Sequence, residues 1–165
     1  MRLQDVGPFA GHSPEQERPL GSYAVLMGLF GAAGGGFATW FGRSGRELPE
    51  RIGIADFALI AVAAHKSSRL LAKDRVTSTL RAPFTTFEDD AGPGEVTEAA
   101  RGRGLRRAVG ELVTCPYCLS PWVSAALAAG LLVAPRPTRW VASVAGAAFA
   151  SDVLQIAYAK GEDQL

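Results

Sequence analysis

Residues 23–42 read YAVLMGLFGAAGGGFATWFG, twenty consecutive residues without a charged side chain. A soluble amphipathic helix would place polar residues on one face at a spacing of 3.6, and this run has no such face. Its glycines would also weaken a helix in water, where each costs about 1 kcal/mol relative to alanine. The uncharged segment as a whole, residues 20–41, is long enough to cross the roughly 30 Å hydrocarbon core of a bilayer. The sequence therefore predicts a membrane-spanning helix here.

Three further apolar segments follow along the chain, at residues 52–66, 119–134 and 138–159. Hydrophobic residues make up 48% of the 165 residues, and the charged 20% is concentrated between the second and third segments. This segregation is typical of integral membrane proteins. The predicted fold class is all-α: an integral membrane helical bundle of about four transmembrane helices, with interfacial amphipathic helices in the central loop. One domain, residues 20–165, is expected after a polar N-terminal tail at residues 1–19.

The basic residues favour one orientation of this bundle. Nine lie in or directly before the central loop, residues 67–118, against five in the other two loops together. Because basic residues are enriched in cytoplasmic loops, we expect the central loop and both termini to lie in the cytoplasm. The net charge of +1 provides no overall field that would attract nucleic acid.

The central loop divides into three predicted parts. Residues 65–83, HKSSRLLAKDRVTSTLRAP, are expected to continue the second helix and to lie in the membrane interface, apolar on one side and basic on the other. Residues 87–104, FEDDAGPGEVTEAARGRG, predict a mobile loop. Residues 105–115, LRRAVGELVTC, predict a short amphipathic helix. A surface for anionic lipid head groups or a partner protein is predicted at Lys66, Arg69, Lys73, Arg75 and Arg81.

Both cysteines of the chain, Cys115 and Cys118, lie in VTCPYCLSPW at residues 113–122. Cys-Pro-Tyr-Cys occurs in glutaredoxins, but nothing upstream resembles the strand that precedes it there. Three alternatives stay open: a reactive thiol pair at a helix N-terminus, half of a zinc site completed by His65 with Glu111 or Asp74, or small residues that pack at a helix start. A permanent disulfide is not expected in a reducing cytosol.

Ionisable residues near or within the bilayer are the next candidates, namely Asp56, Asp152 and Arg69. Such groups are costly in a membrane and usually face the bundle interior, where they find partners. Asp152 is expected within reach of Arg69 or His65. A structural ion pair is the favoured interpretation, and a proton or ion relay from the two acids to His65 is the alternative.

Small residues recur every four positions on two of the predicted spans. Gly31 and Gly35 form one such pair, and Ala142, Gly146 and Ala150 form a series. Small residues let helix backbones approach closely. We expect packing within the bundle, with homo-oligomerisation through the same residues as the alternative.

Two stretches, HKSSRLLAKDRVTSTLRAPFT at residues 65–85 and GLRRAVGELVTCPYCLSPWV at residues 104–123, resemble a bacterial membrane family, the domain of unknown function 1360. The resemblance extends over roughly residues 52–159, and the family includes a membrane protein associated with sporulation. It implies a multi-span helical protein of the bacterial cytoplasmic membrane, and it supplies no activity.

The predicted function is a non-enzymatic membrane scaffold or accessory subunit whose basic loop binds lipid head groups or a partner protein. A membrane thiol-redox or zinc protein centred on Cys115, Cys118 and His65 is one alternative. A small transporter or channel that uses Asp56 and Asp152 is the other.

Overall fold

A computed structural model describes residues 18–162, so almost all of the predicted tail lies outside the described residues. The elements follow in chain order: α1 (Leu20–Arg43), α2 (Ile54–Lys73), α3 (Ser78–Arg81), β1 (Thr85–Gly92), β2 (Glu95–Ala100), α4 (Gly104–Val113), α5 (Pro116–Val133) and α6 (Pro135–Glu162).

The four long helices run alternately up and down. Arg139 near the start of α6 pairs with Asp56 near the start of α2, and further along both helices Lys66 pairs with Asp152. Helices α2 and α6 are therefore parallel, and α5, which packs against both, runs the opposite way. The N-terminus of α1 contacts α4, and beyond its C-terminus the Arg46 side chain donates to the last carbonyl of α5.

Three helices are long and apolar enough to cross a membrane: α1, α5 and α6. They correspond to the predicted spans 20–41, 119–134 and 138–159. Very few of their residues are buried, and large apolar side chains such as Met27, Val144 and Leu154 are more than half exposed. An apolar exterior of this kind is what lipid tails would cover. The predicted span 52–66 corresponds to α2, which carries four charged residues. Within residues 18–162 it is not among the three candidate spans, so four spans are not shown.

The central loop folds differently from the prediction. Helix α2 does continue beyond residue 66, but it ends at Lys73, and the expected interfacial helix is reduced to the four-residue α3. The predicted mobile loop is an antiparallel hairpin of β1 and β2, so the all-α class is wrong in this part. The turn depends on Gly92 and Gly94, whose φ angles of 125° and 76° favour glycine. The short helix before the cysteines is confirmed as α4. We call residues 74–114 the hairpin module.

A buried ion pair forms the centre of the hairpin module. The Arg81 side chain is 2% exposed and that of Glu98 is 5% exposed, and Arg81 Nε donates to Glu98 Oε2 over 2.8 Å. The remaining guanidinium donors reach the carbonyl oxygens of Leu71 and Asp74 and the hydroxyls of Thr77 and Ser78, which leaves no buried donor unsatisfied. The pair therefore ties α3 and the end of α2 to strand β2.

The charge state of Glu98 follows from this environment. Burial raises the pKa of its carboxyl group, but hydrogen bonds from Arg81, Ser78 and Thr85, together with the positive charge of Arg81, outweigh that effect. The pKa of Glu98 consequently lies below its ordinary value, and the carboxylate is ionised at neutral pH.

Candidate functional site at the cysteine end of the bundle

The N-termini of α1 and α5 meet the hairpin module at one end of the bundle, which we call the cysteine end. Cys115 is the N-cap of α5, Pro116 is the first helical residue, and the backbone N–H of Cys118 donates to Cys115 Sγ over 3.2 Å. Proline suits that position because its missing N–H would have had no helical partner. The motif thus places both sulfur atoms within the first turn of a helix.

The two cysteines are joined in a disulfide, with their Cα atoms 5.2 Å apart. A spacing of three residues across a helix start brings the side chains to the same side of the turn, which is why the bond can form. The sequence analysis did not expect a permanent disulfide. In cytosolic proteins such bonds are usually transient and catalytic or redox-sensing.

The predicted zinc ligands are not brought together. Within residues 18–162 no group of three or more His, Cys, Asp or Glu side chains is arranged to hold a metal ion. The His65 ring packs edge-on against Phe149 at 5.5 Å between ring centres. Glu111 accepts from Arg107 and Tyr23, and the Asp74 carboxylate caps the following turn.

An apolar cavity of about 570 Å³ lies between α1, α4 and α5. Its lining is mostly aliphatic and aromatic and includes one cysteine; the walls are formed by Leu26, Met27, Phe30, Leu112, Cys118 and Trp122. Phe30 and Trp122 pack edge-to-face with ring centres 4.9 Å apart.

One rim of this cavity is polar. The Tyr23 hydroxyl donates to Glu111 Oε2, and Arg107 Nε donates to Glu111 Oε1 over 3.0 Å. Tyr23 and Glu111 both line the cavity, so a hydrogen-bonded carboxylate lies beside the apolar space. The sequence analysis considered Glu111 only as a zinc ligand and missed Tyr23, because these partners are 88 residues apart.

A second, smaller cavity of about 310 Å³ separates α2 from the start of α5. His65, Ser68 and Arg69 line it from α2, and Tyr117 and Ser120 line it from α5. Ser68 is buried and donates to the carbonyl oxygen of His65. His65 and the start of the cysteine-bearing helix therefore face the same cavity.

The intramembrane acids form ion pairs with partners that were not predicted. Asp56 accepts two hydrogen bonds from Arg139, both of 2.8 Å, and Asp152 pairs with Lys66 at 2.5 Å. Asp152 was expected within reach of Arg69 or His65. Its partner is instead Lys66, the neighbour of His65 on α2, while Arg69 binds Glu95 of the hairpin through two hydrogen bonds. The geometry is that of structural pairs that fix helix register.

The cations predicted to bind lipid or a partner are mostly engaged internally. Lys66, Arg69 and Arg75 pair with Asp152, Glu95 and Asp90 respectively, each at 2.8 Å or less. Arg81 is buried, so for this residue the prediction of a lipid-facing surface is wrong. For Lys73, the last residue of α2, binding of lipid or a partner stays a prediction.

The small residues of the two spans differ in their surroundings. Ala142 is buried and a Cβ at Gly146 would touch Leu59 of α2 at 3.8 Å, so these two residues pack within the bundle, whereas Ala150 is exposed. A Cβ at Gly31 or Gly35 would meet nothing within 4 Å. Association of two copies through that pair stays a prediction.

A family model described as a protein of unknown function, DUF1360, matches residues 59–158. The chain belongs to the DUF1360 family. The sporulation protein YjcA of Bacillus subtilis is 31% identical over 86 residues, which cover 50% of this chain and 73% of that protein. No solved structure shows a significant match.

The DUF1360 match contains the hairpin module, both cysteines and the Lys66–Asp152 pair. Helix α1 and Asp56 lie outside it, and with them one wall of the large cavity. The resemblance found in the sequence is confirmed, and neither the family description nor the relative's name states a reaction.

Proposed function

We propose that this DUF1360 protein is an accessory protein that anchors the hairpin module to a membrane and presents it to a protein partner. The observation that carries the proposal is the Arg81–Glu98 pair, which is buried and fully hydrogen-bonded. Buried pairs need this degree of satisfaction to offset the cost of desolvation. A segment held together by such a pair has a fixed surface that a partner can recognise. A segment that only connects two membrane helices would not need such a fixed surface.

The bundle supplies the anchor. Helices α1, α5 and α6 are the candidate spans, and we infer that α2 is a fourth. In support, α2 packs along α5 and α6, and its charges at Asp56 and Lys66 are both neutralised by α6. Paired charges are far less costly in a bilayer than free ones. The basic residues of the hairpin module support a cytoplasmic orientation.

Strand β1 is the surface that we assign to the partner. Seven of its eight residues are exposed, among them Phe87 at 61% and the acidic run Glu88, Asp89 and Asp90. Two irregularities of register interrupt the strand, and charges and bulges are devices that prevent edge-to-edge pairing. Recognition would therefore use side chains, and the complementary partner is a basic protein segment with an apolar residue for Phe87. The internal pairing of the cations favours a protein over lipid head groups.

A site-specific photocrosslinker tests this surface in cell membranes. We expect a photoreactive phenylalanine analogue at position 87 to give one discrete protein adduct. The matched control is position 57, where Phe57 is 66% exposed on α2, and it should give lipid adducts alone. Double charge reversal, Glu88→Lys with Asp89→Lys, should abolish the protein adduct at position 87 while the protein stays folded. Lipid adducts only, or an adduct that survives the charge reversal, would contradict the proposal.

A further inference from the structure

We propose that Cys115 and Cys118 are a redox-active pair and that the 570 Å³ cavity binds a membrane quinone that oxidises them. Neither part depends on a docking partner at strand β1. One observation supports this proposal: Cys118, whose sulfur is part of the disulfide, lies in the wall of a large apolar cavity.

The cavity fits a lipid-soluble ring compound. Its volume lies in the range of cavities that enclose small organic ligands. Two of its walls, α1 and α5, are candidate membrane spans, so a molecule dissolved in the bilayer can reach it. The edge-to-face pair of Phe30 and Trp122 offers an aromatic lining for a flat ring.

The polar rim fits a quinone in particular. A quinone has carbonyl oxygens that accept hydrogen bonds and become hydroxyls on reduction, and a purely aliphatic ligand would have no use for a polar rim. Tyr23 and Glu111 supply a hydroxyl and a carboxylate at the cavity edge, with Arg107 holding the carboxylate. The Tyr23 hydroxyl can turn from Glu111 to donate to a quinone carbonyl, and the Tyr23–Glu111 pair can relay protons to it.

The cycle needs two reagents, the quinone as oxidant and a protein dithiol as reductant. The Cys115 and Cys118 thiols together lose two protons and two electrons, and the S–S bond forms. The quinone takes up both protons and both electrons and becomes the hydroquinone. The disulfide is then reduced by a protein dithiol through thiol–disulfide exchange, which leaves a disulfide in that protein. The attacking thiolate comes from that dithiol, and the helix N-terminus at Cys115 stabilises the cysteine thiolate that leaves.

Gly31 allows the cavity to be blocked without touching the cysteines. It lines the cavity, and a Cβ there would meet nothing within 4 Å, so a larger side chain would occupy the open space. Gly36 is the matched control, because it lies on the same helix with the same free surroundings but outside the cavity lining. Gly31→Leu and Gly36→Leu thus share the substitution and differ in whether they fill the cavity.

The test uses the full-length protein in lipid nanodiscs, reduced with dithiothreitol and desalted without oxygen. With decylubiquinone as the probe, we expect one quinone reduced and two thiols lost per chain. Gly31→Leu should slow this reaction at least tenfold, and Gly36→Leu should leave it unchanged. Diamide, a water-soluble thiol oxidant, should oxidise all three proteins at the same rate. Absence of quinone reduction by the wild type, or an unchanged rate in Gly31→Leu, would overturn the proposal.

Binding can be measured separately, in case Gly31→Leu fails to fold. Quinones quench tryptophan fluorescence, and Trp122 lines the cavity. Decylubiquinone should quench the oxidised wild type with a saturable component that Trp122→Phe lacks. Quenching that rises linearly with quinone concentration, or saturable quenching that persists in Trp122→Phe, would show that the quinone does not bind in this cavity.

Discussion

Two of the arginine–carboxylate pairs in the hairpin module, Arg81–Glu98 and Arg75–Asp90, differ almost entirely in environment. Arg81 and Glu98 have side chains 2% and 5% exposed, whereas Arg75 and Asp90 are 58% and 65% exposed, and both pairs join at 2.8 Å. Two ion pairs with the same donor–acceptor distance can therefore contribute very different free energies to stability. A charge in water is already solvated, so an exposed pair gains little from its partner, while a buried charge that loses its partner has nothing to replace it.

The largest expected effect is that of Arg81→Met. The substitution leaves the Glu98 carboxylate buried without a partner, and breaking a buried pair in this way costs about 3–5 kcal/mol. Hydrogen exchange of the β1 and β2 amides measures the loss. The double variant Arg81→Met with Glu98→Leu should recover much of it, because no orphaned charge remains. A double variant as unstable as the single one would show that the hydrogen bonds to Leu71 and Asp74 matter more than the charge.

Gly110→Ala should have the next largest effect. A Cβ at Gly110 would lie 2.5 Å from the Phe84 carbonyl oxygen and 2.9 Å from Ala100 Cβ, so α4 would have to move away from the hairpin. Overpacking of this kind typically costs about 1–3 kcal/mol. Thermal unfolding in detergent would measure it, with Gly36→Ala as the open-space control. If Gly110→Ala unfolds at the wild-type temperature, α4 does not pack against the hairpin as described.

The pH dependence of the module should follow Glu98. Because its folded-state pKa is lowered, the carboxylate contributes stability that is fully present above the unfolded-state value of about 4.3. That contribution is lost as the pH falls through the folded-state pKa. Burial raises the pKa of Glu98 and so reduces the net shift. The stability lost at low pH should therefore be smaller than the stability lost in Arg81→Met. The expected result is that protection of the β2 amides, taken relative to the intrinsic exchange rate at each pH, decreases with falling pH in the wild type and does not do so in Glu98→Gln. Equal pH profiles would assign the effect to another group.

The smallest effect should come from Arg75→Gln. The exposed pair with Asp90 contributes at most about 1 kcal/mol, and added salt should reduce even that. Unfolding at low and at high ionic strength measures both quantities. A loss comparable to that in Arg81→Met would contradict the contrast between the two pairs.

The helices could be predicted from sequence because hydropathy is a local property. Residues 20–41 predicted α1 to within two residues, and the amphipathic run at residues 105–115 predicted α4. The hairpin could not be predicted in this way, because β1 lacks apolar and polar alternation and buries only Thr85. Its place depends on Arg81 meeting Glu98, and in the sequence both look like ordinary surface charges. The sequence likewise did not relate Lys66 to Asp152, because they are 86 positions apart.

At the cysteine end, too, the sequence predicted the local structure but not the tertiary contacts. The sequence predicted a helix over residues 119–134 with the cysteines near its N-terminus, and α5 begins at Pro116. The cavity beside it requires Tyr23 and Phe30 from α1, and no spacing in the sequence relates them to Cys118. Local pattern thus located the cysteines, and only the tertiary arrangement shows what surrounds them.

Hydrogen exchange of the protein in nanodiscs tests whether residues 74–114 form a module built on a buried ion pair. We expect slow exchange at the paired amides of β1 and β2 in the wild type and in Arg75→Gln, and exchange at least a hundredfold faster in Arg81→Met, as a cost of about 3 kcal/mol or more implies. Exchange of these amides in the wild type at the rate of an unstructured peptide would contradict this.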